Sequence, residues 1–151
     1  MIAFPTRCLA LTAVAAAAVF CGGCATTHQR SAADSDGAFV HIKSGPDETH
    51  RVMMGLRMAQ IMAEDRDVLV YLDVDAIDLV LHDSPDLAME PFGSSHAVIR
   101  DLIDRGVPVF ACPGCLQAAS KTPEDLMPGV RVAEKDEFFG FTEGRILTID
   151  Y

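Results

Sequence analysis

The chain carries no glycine-rich phosphate loop, no nucleophilic-serine motif and no His-Glu zinc-protease signature, so the familiar cofactor and hydrolase chemistries find no foothold in its 151 residues. Basic residues are scarce: 12 Lys and Arg stand against 22 Asp and Glu, for a formal charge of −10. A surface of that sign repels nucleic acid, whose binding needs clustered Lys and Arg to displace counterions, and it gives no electrostatic grip on anionic lipid. Beyond residue 24 a single Cys-x-x-Cys pair occurs, Cys112 with Cys115, and a tetrahedral zinc site needs two ligands more. No cofactor and no dedicated metal site is therefore expected. Tryptophan is absent, and no internal repeat or low-complexity tract interrupts the region after Gly37.

Hydrophobic residues concentrate first at the N-terminus. Positions 1–23 combine one positive charge, Arg7, with a mainly apolar run from Leu9 through Cys21, the pattern of a secretory signal peptide and too short for a comfortable membrane span. Cys21-Gly22-Gly23-Cys24 resembles a bacterial lipobox, which makes Cys24 the expected lipidation site and first mature residue; a plain signal peptide cut near Ala25 is the alternative. With no Asp after Cys24, the sorting expected is to the outer membrane, on the periplasmic side of the envelope. Residues 24–37 are then the lipidated cysteine and a small, polar, flexible tether. Residues 38–151 remain, enough for one domain with a sizeable core.

Within that domain the apolar pattern alternates between strand and helix. Ala38 to Lys43 reads as a first strand, and Ser44, Gly45 and Pro46 open a helix that runs to about Glu64, with Val52, Leu56, Ala59 and Ala63 on its buried stripe and Met54, Met58, Ile61 and Met62 widening it. Val68 to Leu72 is a continuous apolar run suited to a strand covered on both faces. Asp75 to Leu81 suggests a short helical turn, and His82 to Gly93 is a long irregular stretch of the kind more often functional than accidental. A helix from Ser94 or Ser95 to Arg105 follows, then a buried strand from Val107 to Ala111. Glu134 to Phe141 reads as a short helix whose Phe138, Phe139 and Phe141 close the core, and Ile146 to Ile149 is the last strand. Strand, helix, strand with short links implies parallel pairing. The expected fold is a single three-layer α/β/α domain around a mostly parallel sheet of about five strands.

The strand ending at Ala111 delivers the chain to Cys112-Pro113-Gly114-Cys115 just where a helix begins. There the helix dipole and unpaired N–H groups favour a thiolate, the reactive form of cysteine. Such a pair can close a disulfide, pass a persulfide between its sulfurs or supply two metal ligands; buried bystander thiols are the bland alternative, against which Pro113 and Gly114 argue. A bridge over so short a loop adds little stability, so a structural staple is a poor explanation. Thioredoxins share the spacing, but their cysteines follow the first strand of the core motif and usually a Trp. The five histidines, His28, His41, His50, His82 and His96, are scattered, and ordinary core or surface roles suit them best. Met53, Met54, Met58 and Met62 invite a Cu(I) reading, since soft thioether, thiolate and imidazole groups suit that ion, but their helical spacing fits packing. Asp73, Asp75 and Asp78 end the second strand and either polarise a site or are solvated turn acids.

In this order, Val40-His41-Ile42-Lys43-Ser44-Gly45 before a Met-rich helix, Asp67-Val68-Leu69-Val70-Tyr71, Arg105-Gly106-Val107-Pro108-Val109, and then Cys112-Pro113-Gly114-Cys115, the chain resembles the DsrE/DsrF-like family of small sulfur-relay proteins. Glu124-Asp125-Leu126 with Gly129-Val130 and the closing strand extend the likeness over residues 38–151. The resemblance implies a flavodoxin-like fold, a homo-oligomer (trimer or hexamer), and a persulfide-carrying cysteine that maps onto Cys112. Sulfur donor or acceptor protein thiols would be its partners. Cys115 would discharge such a persulfide into a disulfide, which favours handling of sulfane sulfur or thiol–disulfide equivalents. A periplasmic copper-binding protein and a non-catalytic assembly subunit are the competing expectations.

Overall fold

The computed structural model describes residues 36–144 and 146–151; the expected signal segment, Cys24, His28 and nearly all of the tether lie outside the described residues. The strands are β1 (Gly37–Ile42), β2 (Asp67–Leu72), β3 (Ala88–Met89), β4 (Gly93–Ser94), β5 (Val109–Ala111), β6 (Arg131–Val132) and β7 (Ile146–Asp150). The helices are α1 (Thr49–Met62), α2 (Ser95–Asp104), α3 (Pro113–Ala118) and α4 (Lys135–Gly140). Five strands form one sheet in the order β6-β5-β2-β1-β7, and every pairing in it is parallel. The α/β expectation is met.

Register explains which residues are buried. Pairing of Val40 with Val70 and of Val70 with Val109 lines one face with aliphatic side chains. Against that face pack Val52, Met53, Leu56 and Ala59 of α1, Val98, Ile99 and Leu102 of α2, and Leu116 of α3, in one continuous cluster. Each fully buried Val, Leu or Ile contributes about 1.5–3 kcal/mol relative to exposure, so this face holds the domain together. Along β1, β2 and β5 the alternate residues Phe39, His41, Tyr71 and Phe110 point the other way. Among the described residues, the six-residue α4 is the helix placed over them: the Phe138 ring lies edge-on to Phe39 at 5.6 Å and to Tyr71 at 4.9 Å between centroids. The two outer layers are thus unequal.

Several local expectations change. The strand before Cys112 begins at Val109, because Val107 N–H is taken by Leu102 O at the end of α2 and Pro108 has no N–H to pair. Ile61, expected on the buried stripe of α1, is 44% exposed, while Met53 is fully buried in its stead. Phe139 is 58% exposed and does not close the core. The irregular stretch 82–93 contains the β3–β4 hairpin. Its polar groups brace α2: the Asp86 carboxylate accepts from Ser94 Oγ at 2.7 Å and from His96 N–H at 3.0 Å. Those contacts give the stretch a structural use.

Candidate functional site

Cys112 is held by its backbone before its side chain does anything. Its N–H donates to Leu72 O at 2.9 Å, which continues the β2–β5 ladder one residue beyond the strand. The backbone of Cys112 is extended (φ −63°, ψ 121°), and it caps α3, with Pro113 at the first helical position. The sulfur accepts from Cys115 N–H at 3.4 Å. Leu116, buried in the core, clamps α3 to the sheet and so fixes the spacing of the two thiols. Both cysteines are half-buried free thiols. The site lies at the C-terminal edge of the parallel sheet, where open α/β sheets carry their chemistry.

The surroundings of the two sulfurs differ. Burial works against a Cys112 thiolate, but hydrogen bonds from the Tyr71 hydroxyl, from Cys115 N–H and thiol, and from Gly114 N–H outweigh it, and the Cys112 thiol sits below its ordinary range. At Cys115 the Val74 N–H, 3.2 Å from Sγ, favours the thiolate. Burial, donation of its proton to Cys112, and the negative charges of Cys112 and Asp73 overcome that and raise it. Tyr71 is pushed well up, first by burial and then by its hydrogen bond to Cys112, so it stays a protonated donor. The two thiols are thus shifted in opposite directions, Cys112 toward the thiolate and Cys115 toward the thiol.

Three residues of this arrangement stand out only in three dimensions. Tyr71 reaches Cys112 because the β2–β5 register pairs Tyr71 with Phe110, two residues short of the cysteine and pointing to the same side. Val74 is a β-branched residue held at φ +50°, a left-handed conformation that such residues avoid, and it is 57% exposed. That conformation aims its N–H at Cys115. His41, which the sequence left as an ordinary strand residue, has Nδ1 2.7 Å from Asp150 and Nε2 2.9 Å from Asp73. Asp73 and His41 therefore extend a polar chain from the sheet edge toward the thiols. The only hint of these roles in the sequence is a tyrosine, with a polar tip, inside the aliphatic run of β2.

The remaining candidates fall elsewhere. His50 stacks loosely near Phe92 at 6.1 Å, His96 shares a 3.0 Å hydrogen bond with Ser84, and His82 donates its N–H to Asp125 O. Met53 is buried in the core and Met62 packs against it. Among the described residues no group of three or more His, Cys, Asp and Glu could hold a metal ion, and no helix is long and apolar enough to cross a membrane. Asp75 lines a surface cleft, and Asp78 is exposed.

Solved structures show what kind of domain presents this site. The ychN protein from E. coli superposes with a TM-score of 0.60 at 20% identity, covering 77% of this chain and 99% of its own. A protein of unknown function, MTH1491 from Methanobacterium thermoautotrophicum, superposes with a TM-score of 0.54 at 21% identity, covering 78% of this chain and 100% of its own. The fold is DsrE-like. Identity at this level speaks for the fold alone. No protein-family model matches the chain, and no curated protein matches it.

Proposed function

We propose that this DsrE-like domain handles sulfane sulfur or thiol–disulfide equivalents through Cys112, with Cys115 as the resolving thiol. The observation that carries the reading is the placement of the pair: Cys112 caps α3 at the C-terminal edge of the sheet and its sulfur accepts from Cys115 N–H, with the Cys112 thiol lowered and the Cys115 thiol raised from the ordinary range. In a persulfide reaction the Cys112 thiolate attacks the outer sulfur of R–S–SH, the bond between the two sulfurs of the donor breaks, and R–S⁻ leaves, so that Cys112 carries –S–SH. Two exits follow. A partner protein's thiolate can take the outer sulfur and leave Cys112 as thiolate. Alternatively Cys115, losing its proton, attacks the Cys112 sulfur and expels HS⁻; the two thiols are oxidised to a disulfide as the sulfane sulfur is reduced to sulfide, and a partner dithiol restores the pair.

Export and lipidation at Cys24 belong to the same proposal and are supported by the signal-like segment 1–23 and the Cys21-Gly22-Gly23-Cys24 string. They place the chemistry on the periplasmic side of the outer membrane. Self-association as a trimer or hexamer is supported by the thinly covered sheet face around Phe39 and Tyr71, beside which Phe139 of α4 is exposed. Intact-protein mass spectrometry after polysulfide treatment tests the sulfur reading. Added mass in units of about one sulfur, removed by reductant and absent from Cys112→Ser, is the expected result; thiols that stay unmodified would refute it.

A further inference from the structure

The sheet reverses its winding at β1. From β1 the chain proceeds outward through β2, β5 and β6 with its helices on one face, then returns by α4 across the other face to place β7 on the far side of β1. At such a reversal the connections part at the C-terminal ends of the strands, and the crevice between them is where open α/β sheets receive ligands. Here the crevice is a cleft of about 520 Å³. Lys43, Glu48, Arg51, Val74, Asp75 and Asp150 contribute to its lining, so it presents cations and carboxylates together.

The charges are arranged for exchange. Lys43 Nζ rests 3.5 Å from Asp150 and Arg51 Nη1 2.9 Å from Glu48, at exposed positions where ion pairs are held weakly. A simple anion entering the cleft meets the carboxylates, and a simple cation meets Lys43 and Arg51; a molecule with both an ammonium and a carboxylate answers both sets. Gly45 keeps the walls close, since a Cβ there would lie 2.9 Å from the Asp75 Cβ. Val74 joins this cleft to the thiols: it lines the cleft while its N–H bonds Cys115 Sγ.

We infer that the cleft binds a small zwitterionic thiol or its persulfide, of the amino-acid or short-peptide class, and presents its sulfur past Val74 to the Cys112–Cys115 pair. This rests on the sulfur-handling reading. The bound persulfide would lose its outer sulfur to Cys112 and depart as a zwitterionic thiolate, protonated by solvent.

S-methylcysteine, which has both charges and no transferable sulfur, is the probe, titrated into the full chain and followed by amide NMR and calorimetry. Saturable binding is expected, with shifts at Ser44, Val74 and Tyr151. Lys43→Gln and Arg51→Gln are each expected to weaken it about fivefold, while Arg57→Gln, outside the cleft lining, leaves it unchanged. 3-(Methylthio)propionate, which lacks the ammonium, is expected to bind at least about fivefold more weakly. No saturable binding, shifts confined to other surfaces, or affinity indifferent to both variants would overturn the inference. Because the probe transfers no sulfur, failure of the sulfur chemistry and failure of the cleft are separable: polysulfide loading without zwitterion binding sinks the cleft alone, and zwitterion binding without polysulfide loading sinks the sulfur reading.

Discussion

Removing one oxygen tests whether Tyr71 acts on Cys112. Tyr71→Phe deletes the hydroxyl that donates to the Cys112 sulfur and keeps the ring that stacks on Phe39 and meets Phe138. A hydrogen bond to a charged group is worth about 1.5–3 kcal/mol when sheltered. The thiol pair is only half-buried, and solvent screening brings the expected loss to about 1 kcal/mol. That lowers the thiolate population of Cys112 about fivefold at any pH below its range. The thiolate that remains is more basic and therefore about twofold more nucleophilic, for a Brønsted slope of about 0.4–0.5. Alkylation by iodoacetamide, measured on a Cys115→Ser background, should be about 2–3-fold slower than in the parent at acid pH and about twofold faster at alkaline pH, where both proteins are fully ionised. The pH–rate profiles cross. Profiles displaced in the same direction at every pH, or superimposable ones, would refute the assignment of Tyr71 as the donor. The sign carries over to stability: a thiol held below its ordinary range by folding stabilises the fold at pH above the unfolded thiol's pKa, and that contribution fades as pH falls through the folded value.

Other expectations follow from single residues. Val74→Asn replaces a β-branched residue at φ +50° by one that tolerates the left-handed region, and should raise stability to urea by about 1 kcal/mol, since the valine side chain is mostly exposed; a drop would mean the conformation is not strained. Leu116→Ala should cost about 2–4 kcal/mol in urea denaturation and loosen the thiols along with α3, read as faster alkylation of Cys115; unchanged stability would show that Leu116 does not anchor the helix. Cys115→Ser removes the resolving thiol, so sulfur loaded on Cys112 should persist for longer than in the parent by mass spectrometry, and equal lifetimes would argue against a resolving role.

What the sequence made legible was whatever depends on local pattern. The apolar run Val68 to Leu72 announces a strand covered on both sides, and Val68, Leu69, Val70 and Leu72 are buried as it requires. Cys112 before Pro113 reads as a helix start after a strand, and the backbone agrees. The zone around the thiols was less legible because it depends on register. Tyr71 and Val74 lie far from Cys112 along the chain, and only the alignment of Leu72 with Ala111 brings the tyrosine to the sulfur. The pairing of His41 with both Asp73 and Asp150 needs β7 beside β1, a return that helical and strand periodicities do not encode. Phe139 misled for a related reason: an aromatic cluster signals a covered face, and the face beneath α4 is only partly covered within one chain.

The most direct measurement is the intact mass of the full chain before and after polysulfide, with and without reductant. Sulfur handling at Cys112 predicts a gain of about 32 Da per sulfur, the mass of one sulfur atom, or loss of two hydrogens where Cys115 has closed the disulfide, both reversed by reductant and both absent from Cys112→Ser. Unmodified thiols in the wild-type chain, or an adduct that persists in Cys112→Ser, would contradict it.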